Sequence, residues 1–377
     1  MTQGRMLYVD NTRLSLIVLV LFVHAVVTYS GVGGWYYRDP AVPGPSTLLF
    51  FVFIEGFCQS FFMGTLFALA GYYAALALGR KGTRAFVMGR LTRLGLPSLF
   101  FMAVVNPLTV YYLAGMENLQ ARISFAGYYR HYVTGLYILS GSGPMWFALA
   151  LLLFCLIYAW AAALTGSPPR AGEPRPLTAR LLAGLILACT AGAFSIRLVM
   201  PIGATLYNMQ LGYFTQYVVL FAFGIAAQAN DWLRTADRRL GRACLATVCA
   251  GLPVWGGLLL FGTGGDIGAL AGGPHWQSLA YALWESTNGV CMTVGIVTAF
   301  REKWNTQGRL VAALSASAFA VYVFHPPIMV ALARVLAPLS LPVLVKCLAL
   351  FALSLPACFG AAWIIRRSPL VREMVRQ

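Results

Sequence analysis

The 377-residue chain is 59% hydrophobic and only 10% charged, a balance that excludes an ordinary water-soluble domain and points to a polytopic membrane protein. Its 27 Lys and Arg against 11 Asp and Glu give a formal charge of +16. In so apolar a chain that excess belongs to cytoplasmic loops and a lipid surface rather than to nucleic acid. The eight cysteines stand singly in apolar runs, without metal or redox spacing, and read as small core residues, so no metal site is expected.

Runs of about 20 apolar residues predict helical spans near 14–30, 48–79, 94–114, 144–164 and 181–199. Five more follow near 213–229, 243–262, 277–300, 310–335 and 341–365. The first is longer than a secretory signal core and lacks a small-x-small cleavage site, so it reads as a retained span. The second is long enough to tilt, or to bend at Gly56, Gly64 or Gly71. The expected fold is all-α, a single membrane domain over 1–377 with about ten spans, and no internal repeat is evident.

Positive charge sets the orientation. Arg80, Lys81, Arg84, Arg90 and Arg93 crowd the 2–3 connection, Arg170, Arg175 and Arg180 the 4–5 connection, and Arg234, Arg238, Arg239 and Arg242 the 6–7 connection. Arg301, Lys303 and Arg309 lie in 8–9, and Arg366, Arg367, Arg372 and Arg376 in the tail. The opposite loops hold Arg38, Arg122 and Arg130, with Arg334 at a span edge. Both termini are therefore expected in the cytoplasm. Of the outward loops, 31–46 ("GVGGWYYRDPAVPGPS") is aromatic and rich in Gly and Pro, which suits either an interfacial belt or a platform for a sugar ring.

The first span, "DNTRLSLIVLVLFVHAVVTYS", carries two ionisable groups. Eleven residues separate Arg13 from His24, about three turns plus 20°, so both side chains share one face about 16 Å apart. Arg13 then lies at the cytosolic boundary and His24 near mid-membrane, a costly position that favours a protein cavity and a functional role over lipid. Asp10 and Asn11 suit capping of the helix start, and Asp10 also suits orienting Arg13. Glu55 on the second span, Glu285 with Asn288 on the eighth, and His325 on the ninth all fall in the outer half.

Cations inside, an imidazole in the middle, and acids with a second imidazole outside suggest a passage with different chemistry at each end. Arg13, Arg90 and Arg93 suit phosphate groups, whereas Arg80, Lys81 and Arg84 read as positive-inside anchors. A donor with phosphates at one end of a long thin arm and a thioester at the other, acyl-coenzyme A, matches that span. His24 would then take the proton of an attacking hydroxyl.

Five strings in order resemble the acyltransferase-3 family of integral membrane acyltransferases. They are "DNTRLSLIVLVLFVH", "QSFFMGTLFALAGYY" with Ala70 where Ser is usual, "RLTRLGLP", "GPMWFALALLLF" and "LSASAFAVYVFHPPI". "HAVVTYSGVGGWYY" followed by "FCQSFFM" also looks like the branch that succinylates periplasmic glucans. The resemblance implies that His24 is catalytic, Arg13 essential, and Arg90 and Arg93 on the donor side. It also implies a cytoplasmic acyl-CoA co-substrate, no permanently bound cofactor, and a hydroxyl acceptor on an envelope carbohydrate outside the inner membrane. The Ala70 departure removes any serine hydroxyl at that position. Burial adds Glu285 to the catalytic residues, and Glu55, Trp146, Asn288 and His325 are expected on the acceptor side, Trp146 and His325 lying in strings that carry the resemblance.

The same buried groups would suit a proton-coupled secondary transporter of an anionic solute. A covalent acyl intermediate on Cys58, one turn from Glu55, is a variant of the enzyme.

Overall fold

The computed structural model describes residues 5–115, 117–166 and 174–367, so Arg170, Arg372 and Arg376 lie outside the described residues. The chain is a bundle of helices with no β-strand among those residues. The long helices, in order, are α1 (Leu7–Ser30), α2 (Pro45–Gln59), α3 (Phe62–Lys81) and α4 (Thr83–Leu113). They continue as α5 (Gly143–Leu164), α6 (Ala179–Arg197), α7 (Leu211–Ala229), α8 (Arg238–Gly262), α9 (Trp276–Lys303), α10 (Arg309–Leu336) and α11 (Val343–Ile365). Among the described residues nine segments are long and apolar enough to cross a membrane, α2 and α3 together forming one of them. The remaining expected span, the eighth at 277–300, is α9. It is a single helix of 28 residues; its Glu285 and Asn288 dilute its hydropathy, and both are buried inside the bundle. The protein is thus an all-α, multi-pass membrane protein.

Differences from the expected boundaries have local causes. The second span breaks at Ser60–Phe61 rather than at a glycine. Ser60 Oγ–H donates to the Phe57 carbonyl at 2.7 Å, and the Ser60 carbonyl accepts from Gln216 Nε2 at 2.9 Å. A broken helix is tolerated in a membrane where neighbouring side chains satisfy the freed backbone in this way. The third span begins eleven residues earlier than expected, so Arg84, Arg90 and Arg93 ride on α4 instead of sitting in a loop. Long Arg stems let a helix keep its apolar contacts while the charge reaches outward. Wide turns at Leu91–Gly95 and Phe101–Val105 precede Pro97 and Pro107, whose missing N–H and bulky rings disturb the regular ladder.

The start of α1 also moves, to Leu7 with Met6 as its cap, so Asp10 and Asn11 are not caps. Asn11 Nδ2 instead donates to the Trp304 and Thr306 carbonyls at 2.7 and 3.0 Å, tying α1 to the α9–α10 connection. Asp10 does meet Arg13, at 3.8 Å, and Arg5, at 2.6 Å.

Helix α1 is central: it packs on α2, α3, α9, α10 and α11. Helices α3 and α7 press together through Gly71 and Gly224, where an added Cβ would lie 2.1 Å from the Phe221 carbonyl and 1.9 Å from the Ala68 carbonyl. Small residues permit such backbone approach where lipid supplies no hydrophobic drive. Seven of the eight cysteines are buried, as expected of core residues, and Cys249 is exposed.

Candidate active site

With its start at Leu7, α1 places His24 about 26 Å from its first residue and about 9 Å from Ser30, in the C-terminal half of the helix. The helix ends at Gly31, whose positive φ of 71° turns the chain, and loop 31–44 folds back over the helix instead of leaving it. As a result Trp35 stacks on His24, with ring centroids 3.8 Å apart and planes at 16°. His325, from α10, lies 5.1 Å from His24 and 5.9 Å from Trp35, again nearly parallel. The imidazole of His24 thus faces two aromatic rings rather than lipid.

Glu55 approaches from α2. A Cβ on Gly33 would come 2.8 Å from Glu55 Oε1, and Gly33 also has φ of 81°, so both space and backbone require glycine there. Four buried polar atoms of this cluster lack a hydrogen-bond partner among the described residues: His24 Nδ1, Trp35 Nε1, Glu55 Oε2 and His325 Nε2. Buried polar atoms are normally paired, and unpaired ones concentrate where a ligand or catalysis needs them.

The covering loop is held from both sides. Tyr36 O–H donates to Asn106 Oδ1 of α4 at 2.7 Å, and Asn106 Nδ2 donates to the Tyr132 hydroxyl at 3.1 Å. Burial raises the Tyr36 phenol above its ordinary value, which keeps it a donor. Asp39 donates its backbone N–H to the Thr28 carbonyl at 2.9 Å, and its carboxylate meets Lys346 of α11 at 3.5 Å with both side chains buried. Lys346 Nζ also donates to the Ala337 carbonyl at 2.9 Å. Further out, Arg334 donates to Glu117, and that hydrogen bond holds the exposed carboxyl below its usual value.

Glu285 belongs to a different cluster. Its Oε2 accepts from Arg197 Nη2 at 2.6 Å, with both side chains buried. Arg197 Nε donates to the Gly212 carbonyl at 3.0 Å, and the guanidinium faces the Tyr213 and Tyr281 rings at 5.2 and 5.3 Å. Trp146 stacks on Tyr217, 5.7 Å away, within an aromatic row that continues through Tyr213. Asn288 sits against α8, its Oδ1 3.6 Å from where a Cβ on Gly251 would lie. Among the described residues no hydrogen bond, ion pair or ring contact joins Glu285, Trp146 or Asn288 to His24. Of the residues expected from the sequence, His24, Glu55 and His325 come together under the loop, whereas Glu285 pairs with Arg197, Trp146 stacks on Tyr217 and Asn288 sits against α8.

Arg13 is half-buried one to two turns inside the opposite end of α1. Arg90 lies over Phe86 at 5.0 Å, and Arg93 is exposed. Neither has a carboxylate partner among the described residues. At the α3–α4 turn an open hollow of about 480 Å³ is lined by Lys81, Gly82, Thr83, Arg84, Ala85 and Met88.

Nothing in the sequence singled out Asp39 or Gln216, and Trp35 stood there only as one aromatic of loop 31–46. Arg197 and Lys346 carried a usable signal, since each is a charge inside an apolar run. Asp39 gave none, and the aromatic loop of Trp35 left belt and sugar platform both open, because nothing local tells a loop residue that returns to the core from one at the interface.

A family model described as an acyltransferase domain matches residues 6–367. No curated protein and no solved structure matches the chain.

Proposed function

Since the chain belongs to the acyltransferase-3 family and is a membrane acyltransferase, we propose that it moves an acyl group from cytoplasmic acyl-CoA to a hydroxyl of an envelope carbohydrate, with His24 as general base. The observation that carries this is the placement of His24: an imidazole enclosed by Trp35 and His325 at one end of α1, with Arg13 about 16 Å away toward the other end. The orientation that fits places both termini and the cluster of Arg80, Lys81, Arg84, Arg90 and Arg93 in the cytoplasm of an inner-membrane protein.

Arg13, Arg90 and Arg93 suit the donor's phosphates, and the hollow beside Lys81 and Arg84 adds two cations on the same side. The pantetheine arm would run up the bundle beside α1 to bring the thioester to His24. There the imidazole takes the hydroxyl proton, the oxygen attacks the thioester carbonyl, and the coenzyme thiolate leaves with that proton. Glu55, under the same loop, suits a hydrogen bond to an acceptor hydroxyl. Glu285 gives its Oε2 to Arg197, while its Oε1 has no hydrogen-bond partner among the described residues.

The test is His24→Ala in the full-length protein. Acyl addition to envelope carbohydrate, read as a mass increment, is expected to fall by about 10²–10⁴-fold while the protein still inserts and folds. Unchanged addition would discard the base. Uptake of an anionic solute by proteoliposomes without acyl-CoA would favour a transporter instead.

A further inference from the structure

The sequence His325-Pro326-Pro327 lies inside α10, where two prolines would ordinarily be disruptive. Pro326 has no N–H, so the Tyr322 carbonyl, four residues back, loses its usual helical donor. That carbonyl lies 2.9 Å from His325 Nδ1, and the Val321 carbonyl lies 3.2 Å away. A carbonyl can only accept, so Nδ1 carries the ring proton and the neutral ring's lone pair is on Nε2. Nε2 is buried without a partner among the described residues, and the ring itself is fully buried, 5.1 Å from His24.

We propose that the His-Pro turn makes His325 a fixed-tautomer acceptor that holds a second hydroxyl of the acyl acceptor, next to the one His24 deprotonates. The class of acceptor this implies is a polyol with neighbouring hydroxyls, such as a sugar ring carrying a diol. Two lone pairs on parallel imidazoles and the free Trp35 Nε1–H form a set of acceptors and a donor. Hydroxyls, which both donate and accept, satisfy such a set. Pro326 is a positioning residue: it acts by leaving the Tyr322 carbonyl open to the ring. The inference rests on His24 being the base, and no bond is made or broken at His325.

The first test is the tautomer itself, by ¹⁵N spectra of the full-length protein labelled at its four histidines. The His325 signals are assigned by their loss in His325→Asn. A protonated Nδ1 with a bare Nε2 is expected, and a mixed population in Pro326→Ala, where a new N–H competes for the carbonyl. A protonated Nε2 in the wild type overturns the proposal.

The second test is transfer to envelope carbohydrate, again read by mass. His325→Asn keeps a donor near Nδ1 but loses the outer acceptor, and transfer is expected to fall about tenfold or more. His325→Gln extends an amide oxygen to where Nε2 lies, and should recover part of that loss. Full transfer by His325→Asn together with none by His24→Ala sinks this inference alone. Full transfer by His24→Ala sinks the base assignment, whatever the His325 variants do.

Discussion

Arg197 and Glu285 form the most deeply buried charge pair of the described residues, and their energetics follow from desolvation. Both charges have left water, so their mutual attraction mainly offsets that cost rather than adding net stability. Removing one partner is different, because it leaves a lone buried charge. Arg197→Met is expected to destabilise the folded protein by about 3–5 kcal/mol, read as a lower unfolding temperature in detergent. The double variant Arg197→Met with Glu285→Leu should regain most of that loss. If Glu285→Gln abolished transfer at wild-type stability, Glu285 would have a direct chemical role through its Oε1, which has no hydrogen-bond partner among the described residues.

At the scale of elements, the loop over His24 and the break in the second span are both sites where backbone left without regular structure is satisfied by side chains. Asp39→Ala leaves Lys346 buried with only the Ala337 carbonyl, and loosens the loop that carries Trp35. Faster proteolysis within 31–44 and reduced transfer are expected together, with Lys346→Met in the same protein restoring some protection. Gln216→Ala removes the donor to the Ser60 carbonyl and the 3.3 Å contact to the Glu285 carbonyl, and should cost about 1–3 kcal/mol of stability.

The two elements also show how far the sequence was legible. Apolar runs located every spanning segment, because crossing takes about 20 apolar residues whatever surrounds them, but the break at Ser60–Phe61 inside the second run left no such mark. The ends of α1 and α4 were misplaced, because a window stops at the first charges while a helix carries Asp10, Arg13 and Arg90 along its first turns. Arg13 and His24 were found because one helix and one angle relate them. His325 and Glu55 were found as buried ionisable groups. Their assembly with Trp35, and the diversion of Glu285 to Arg197, depended on which helices are neighbours, and no local spacing encodes that.

For the whole molecule, α1 offers a cationic group toward one end and an imidazole toward the other, so under the proposed function donor and acceptor are expected to approach from opposite sides of the bilayer. That expectation stands or falls on sidedness. Val42 in the covering loop is 88% exposed, and Thr83 lies at the α3–α4 turn beside Lys81 and Arg84. With the exposed Cys249 changed to Ser, a cysteine at position 42 should react with a membrane-impermeant maleimide on intact spheroplasts. A cysteine at position 83 should react only after the membrane is opened. If both positions labelled from the same side, the cations and His24 would serve one compartment, and a reaction carried across the membrane would have to be abandoned even if His24 proved indispensable.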